Sequence, residues 1–332
     1  MKYYGIFACT LLLAVYCSAA QALEFADYRV SFWNTTGHTN WRHDASFLDS
    51  DFGVPTSELD YQHVDSRIVE INLSAKGSRD SRLSLSLGFG SINQGRLVDD
   101  DYFSASGAMS QGTGRTDAHR YSRTYSDIAG DNLFYLRGDF QPGIEVTDGI
   151  QLGLTASFWH EHYRARGLLQ VECTDYTPPY GLGDSCPAVG TFNYADVDVI
   201  SNRVMWFGAG ISLDGGLEVA PRLWFTIKGV FYPLMTLNNE DIHHLRTTGL
   251  TALAQDPSIR MTGIGLGYDL ELGLTYSFSD ELKLTAGYRR WERRVKNQTI
   301  TFYAPSGIGT NAKLLNFSTS RDGLTVGVEL AF

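Results

Sequence analysis

The sequence predicts an all-β chain: a ten-stranded antiparallel transmembrane β-barrel with short periplasmic turns and five long extracellular loops. Three observations lead there. Apolar residues recur at every second position, as in the closing run Leu324, Val326, Val328, Leu330 and Phe332, and a period of two is the signature of a strand. Several such stripes end on an aromatic residue (Phe89, Phe158, Phe278), as the girdles of a membrane barrel do. The connections between stripes alternate between short and long. With 332 residues, 43% hydrophobic, 13% aromatic and 34 glycines, the composition excludes a disordered chain, collagen and a coiled coil.

Residues 1–22 carry Lys2, an apolar run from Ile6 to Tyr16 and the small-residue site Ala20-Gln21-Ala22, the three parts of a signal peptide. Tyr16 is too bulky to precede a lipidated Cys17. The barrel domain is then 23–332. Cys9 and Cys17 leave with the signal, and Cys173 with Cys186 reads as one disulfide in an oxidising compartment. No run of about 18 apolar residues follows, so no transmembrane helix is available. The net charge of −10, one unit more negative once Lys2 is removed, argues against a nucleic-acid partner.

Ten segments carry the strand pattern, near 24–36, 57–76, 82–93, 126–140, 149–164, 203–214, 219–234, 263–278, 281–295 and 319–332. In the second, Val69, Ile71, Leu73 and Ala75 enclose Glu70 and Asn72; in the third, Leu83, Leu85, Leu87 and Phe89 enclose Ser84 and Ser86. The fifth alternates Leu152, Leu154, Ala156 and Phe158 with Gly153, Thr155 and Ser157, and the eighth sets Leu266 to Phe278 against Asp269, Glu271 and Thr275. Short turns are expected near 76–81, 141–148, 214–216 and 279–280, and long polar loops over 37–56, 94–125, 165–202, 235–262 and 296–318. A barrel this narrow is filled by its own side chains. Arg29, Glu70, Arg137, Asp139, Asp269, Glu271, Arg289 and Arg293 point inward on this pattern, which predicts a paired network closing the lumen rather than a diffusion pore.

Two clusters gather chemistry just past the outer ends of strands. In Val98-Asp99-Asp100-Asp101-Tyr102 the period of two puts Asp99 and Asp101 on one side and Asp100 on the other. Like charges held close cannot both ionise easily, so one carboxyl should hold a proton. In Glu240-Asp241-Ile242-His243-His244 the same spacing sets Asp241 beside His243, where it can fix the imidazole tautomer and raise its basicity. The two strands stand nearly opposite in a ring of ten. The pairs therefore face across the mouth, where they could hold and deprotonate a water.

These residues resemble the omptin family of outer-membrane endopeptidases. Val98-Asp99-x-Asp101 followed by Tyr102 is similar to that family's Val-Asp-x-Asp-Trp, and Asp241-x-His243 to its Asp-x-His. Ser57-Glu58-Leu59-Asp60-Tyr61 and Ala165-Arg166-Gly167 add softer agreement. The resemblance implies peptide-bond hydrolysis with Asp99, Asp101, Asp241 and His243 as catalytic residues, no cofactor or metal, and lipopolysaccharide as an activating lipid, with Glu161, His162 and Arg164 in a suitable region. It also implies two acids for a basic substrate residue; their positions here are Asn239 and, by a looser match, Trp41, so the substrate preference departs from the family's. Two other readings compete: a non-enzymatic adhesin or structural barrel, and a divalent-cation site built from Asp99, Asp100, Asp101, His243 and His244.

Overall fold

A computed structural model describes residues 24–332 apart from 49, 79, 105–118, 174–188, 191, 250 and 251, so the expected signal peptide and Cys186 lie outside the described residues. Eleven strands follow in order: β1 (Glu24–Asp44), β2 (Phe52–Lys76), β3 (Arg82–Phe103), β4 (His119–Ala129), β5 (Asp131–Thr147), β6 (Ile150–Cys173), β7 (Phe192–Ala220), β8 (Leu223–His243), β9 (Ile259–Ser277), β10 (Leu282–Tyr303) and β11 (Gly309–Ala331). Strands β4 and β5 share one place in the ring, broken at Gly130: β3 pairs with β4 through Arg96–Phe103 and with β5 through Arg82–Ile92. Pairing of β1 with β11 closes an antiparallel ring of ten strand positions.

Closure leaves no open sheet edge, the condition for crossing lipid with strands. The outer face carries the predicted stripes: Leu324, Val326, Val328 and Leu330 on β11, and Leu85 and Phe89 on β3, are exposed. This lipid-facing belt on a closed ring makes the chain an outer-membrane barrel.

Eight of the ten predicted stripes each lie in one strand to within a residue, 126–140 spans the break between β4 and β5, and 219–234 spans the turn between β7 and β8; the strands outrun the stripes. About 9–11 tilted residues span a bilayer, whereas β3 has 22 residues and β8 has 21. Past the lipid, outward positions no longer need apolar side chains, so the ladder continues while the alternation that marks it fades. Strand therefore extends into both ends of each expected loop at 37–56, 94–125, 165–202, 235–262 and 296–318. Two turn positions are corrected as well. Strand β5 runs through Pro142 and Gly143 by a register shift between Phe140 and Ile144, and turns at 148–149. Strand β7 carries Gly215 and Gly216 in register with Ile227 and Thr226, and turns at 221–222.

Inside, every charge expected there finds a partner. Glu70 accepts from Arg289 at 2.8 Å and lies 3.8 Å from Arg29; Asp139 pairs with Arg137 at 3.1 Å and Lys228 at 2.9 Å; Arg293 meets Asp269 at 2.6 Å; and Glu271 bridges Arg137 and Arg289. Above this network Trp33, Tyr135, Trp159 and Trp291 pack ring against ring, with Trp159 and Trp291 centroids 3.8 Å apart and Tyr135 stacked on Trp159 at 4.7 Å. At the turn end, the barrel opens into a cavity of about 630 Å³ lined by Asp27, Arg82, Lys228 and Glu329, but the space at the aromatic layer is about 20 Å³. That is room for one or two waters. The lumen is thus blocked midway by packed side chains, which separate the turn end from the loop end.

Candidate active site at the loop end

Strand β3 brings Asp99 and Asp101 to the cleft through its pairing with β2, in which Asp101 stands across from Ser57 and Asp99 across from Leu59. Ser57 Oγ donates to Asp99 Oδ1 at 3.4 Å. Asp100, between them, turns away and is clamped by Arg123 Nε at 2.6 Å, with Arg120 3.6 Å off. The parity predicted from sequence therefore holds. Burial pushes the Asp99 carboxyl well above the usual carboxylate range, and the charge of Asp101 pushes it further. Asp101 is raised for the same first reason, with Arg246 and the Ser57 hydroxyl pulling it back. The pair thus retains a proton that two exposed carboxylates would have lost.

On the opposite wall, Asp241 is fully buried, and neither carboxylate oxygen has a well-aligned hydrogen-bond partner. Strand pairing fixes it between Asn202 on β7 and Ile259 on β9. His243 lies on the same face two residues on, with Nε2 3.8 Å from Asp241 Oδ2. Its backbone N–H donates to Ser258 Oγ at 2.9 Å, and Ser258 N–H donates to the Asp241 carbonyl at 2.9 Å, so one residue ties both ends of the pair. Burial drives Asp241 up to about 8, offset in part by the Ile242 amide and Arg246. The expectation that Asp241 would raise the basicity of His243 is corrected. Burial depresses the imidazole well below its ordinary value, and the charge of Arg246 adds to that. At neutral pH the pair is a protonated acid beside a neutral imidazole.

The two pairs meet electrostatically, since Asp241 raises Asp99 across the cleft. Three residues outside the expected catalytic set complete the site. Tyr61, fully buried on β2, feels the charge of both Asp241 and Asp99. His43 on β1 stands across from Ser57, its ring 5.0 Å from Phe302 and 5.9 Å from Trp41, and burial lowers it to about 4. Arg246, three residues past His243, acts on all four expected catalytic side chains.

The remaining expected positions divide. Asn239 is buried one step below Asp241, its amide donating to Asn202 Oδ1 and to the Arg203 carbonyl at 3.1 Å. Trp41 is buried beside His43. Neither presents a negative charge. The five residues considered for a cation do not converge: Asp100 is held by Arg123, and His244 Nε2 sits 2.8 Å from Ser201 Oγ on β7. Glu161 is not on the outer wall. It is fully buried in the lumen, accepting from Arg321, Tyr163 and, at 2.8 Å, Trp159 Nε1. His162 and Arg164 do face outward, sharing Asp131 at 2.9 Å each. The parity of Leu154, Ala156 and Phe158 carries outward through His162 and inward through Glu161, the signal that separates them.

No family model and no curated protein matches the sequence. Among solved structures, the chain is similar to the outer membrane protease OmpT of Escherichia coli, with a TM-score of 0.66 at 13% identity over 94% of this chain and 99% of that one. The translocator domain of the autotransporter NalP of Neisseria meningitidis matches at 13% identity over 99% and 96%, with a TM-score of 0.38. OprG of Pseudomonas aeruginosa matches at 10% identity over 93% and 97%, with a TM-score of 0.30. The first likeness covers both chains almost entirely and fits the ring of ten strand positions. The chain thus has the fold of an omptin-type outer-membrane barrel.

Proposed function

We propose that this barrel is a surface-exposed endopeptidase of omptin type, with its cleft facing the exterior. The observation that carries the reading is the convergence of Asp99, Asp101, Asp241 and His243 from opposite walls on one cleft above a blocked lumen. Asp99 and Asp101, sharing a proton, hold a water; the neutral imidazole of His243 takes the proton as that water attacks the carbonyl; and Asp241 stabilises the imidazolium that forms. Such a route needs no cofactor. The substrate is a peptide or protein, and lipopolysaccharide is the activating lipid, with His162 and Arg164 as the outward residues that fit its charged groups.

The pH profile tests these roles. Below about pH 8 Asp241 carries its proton and offers no charge to an imidazolium, whereas above it the carboxylate does. The cluster it titrates within includes Asp99, Asp101, Tyr61, His43, His244 and Arg246, so the measured value belongs to the group. The expected kcat/KM rises from pH 6 through about 8, and Asp241→Asn removes the rise. A flat profile in the parent barrel overturns the assignment.

A bridge between Cys173, the last residue of β6, and Cys186 belongs to the same proposal. It would close a loop of about 15 residues, worth roughly 3 kcal/mol in the entropy picture, and its effect would stay local. Cys173→Ser with Cys186→Ser is expected to leave heat-resistant gel migration unchanged and to increase protease nicking between the two positions. Loss of the barrel in that variant would contradict it.

A further inference from the structure

The turn that leaves β8 holds Arg246 three residues past His243. Arg246 N–H donates to the His243 carbonyl at 3.1 Å, and the Arg246 carbonyl accepts from Leu253 N–H at 2.8 Å. Gln255 Nε2 braces the turn from below, donating to the carbonyls of His243 at 3.1 Å and Leu253 at 3.2 Å. A braced backbone thus delivers an exposed arginine to the mouth.

Three other arginines at this end are paired. Arg260 pairs with Glu240 at 2.6 Å, Arg203 with Asp256 at 3.2 Å, and Arg123 with Asp100. Among the described residues Arg246 forms no ion pair. Burial pushes the Asp99 and Asp241 carboxyls upward, which weakens them as counter-charges to Arg246. Asn239 is bonded into the wall and Trp41 is buried, and neither adds a negative charge here. Arg246 therefore reaches solvent at this mouth as a cation with no carboxylate paired to it among the described residues.

We propose that Arg246 is a specificity-determining residue that seats a carboxylate side chain of the substrate beside the scissile bond, so that the cleft takes acidic peptides. The inference rests on the peptidase reading. A guanidinium presents paired donors that match a carboxylate, and in a partly dry cleft such a pair discriminates against a neutral isostere by about tenfold or more.

The test uses the mature barrel refolded with lipopolysaccharide and peptide pairs that differ only by Glu, Gln or Lys next to the cleaved bond. The parent protein should prefer Glu over Gln by about tenfold in kcat/KM. Arg246→Gln should bring that ratio to about one, Arg246→Lys should keep most of it, and Arg246→Glu should favour Lys. Heat-resistant migration of each variant on gels certifies the fold. A parent ratio at or below one, or an unchanged ratio in Arg246→Gln, overturns the inference while leaving peptidase activity in place. Absence of cleavage of every peptide by the parent overturns the peptidase reading itself.

Discussion

Truncating Arg321 to Ala is expected to destabilise the barrel by about 3–5 kcal/mol, because it strands a carboxylate in the lumen. Arg321 on β11 reaches across the ring to Glu161 on β6; both are essentially fully buried, at 1% and 0% exposure. The guanidinium also donates to the Val64 carbonyl and Ser66 Oγ on β2, both at 3.0 Å, and to Tyr163 Oη at 3.2 Å. One side chain thus ties three places on the ring. Without it Glu161 keeps only Tyr163 and Trp159. Replacing both members with apolar residues of similar size, Arg321→Met with Glu161→Leu, removes the stranded charge and should be far milder. Urea unfolding of the two variants in detergent, followed by tryptophan fluorescence, reads the difference. A single variant no weaker than the double one would contradict the bolt-like role of this pair.

His243→Ala is expected to lower kcat by about 10²–10⁴-fold, the usual contribution of a positioned general base. Asp99→Asn should cost a similar factor, since it removes the proton-sharing partner of Asp101 that holds the water. The two together should lose little more than either alone, as residues that act as a unit do. Barrel migration should be unchanged in all three, because His243 and Asp99 lie on strand extensions above the lipid rather than in the lumen network. Additive losses in the double variant would mean that the two walls work separately.

The membrane belt was legible because lipid enforces it: an outward residue there must be apolar, so the period of two is written in the chain. Above the lipid that pressure ends, and the extensions of β3, β6 and β8 that build the cleft could only be read as loop. The chemistry survived this error because parity does not depend on how long a strand is. Asp99 with Asp101, and Asp241 with His243, share a face whether their segment is called strand or loop. His43 and Arg246 had no such local sign, and Tyr61 stood out only as the end of the Ser57-to-Tyr61 stretch. They enter through register, with Ser57 across from both His43 and Asp101, and through a turn whose course is set by Leu253 and Gln255. Basicity was misjudged for a related reason. Spacing puts Asp241 beside His243 but does not reveal that both are buried, and burial outweighs the neighbour.

The central claim is that the loop-end cleft hydrolyses peptide bonds with these four side chains. A mixed peptide library digested by the purified barrel in lipopolysaccharide, with products identified by mass, tests it most directly. The expected result is a set of defined internal cleavages by the parent protein that disappear in Asp99→Asn and in His243→Ala. No cleavage by the parent, or the same products from both variants, would contradict it.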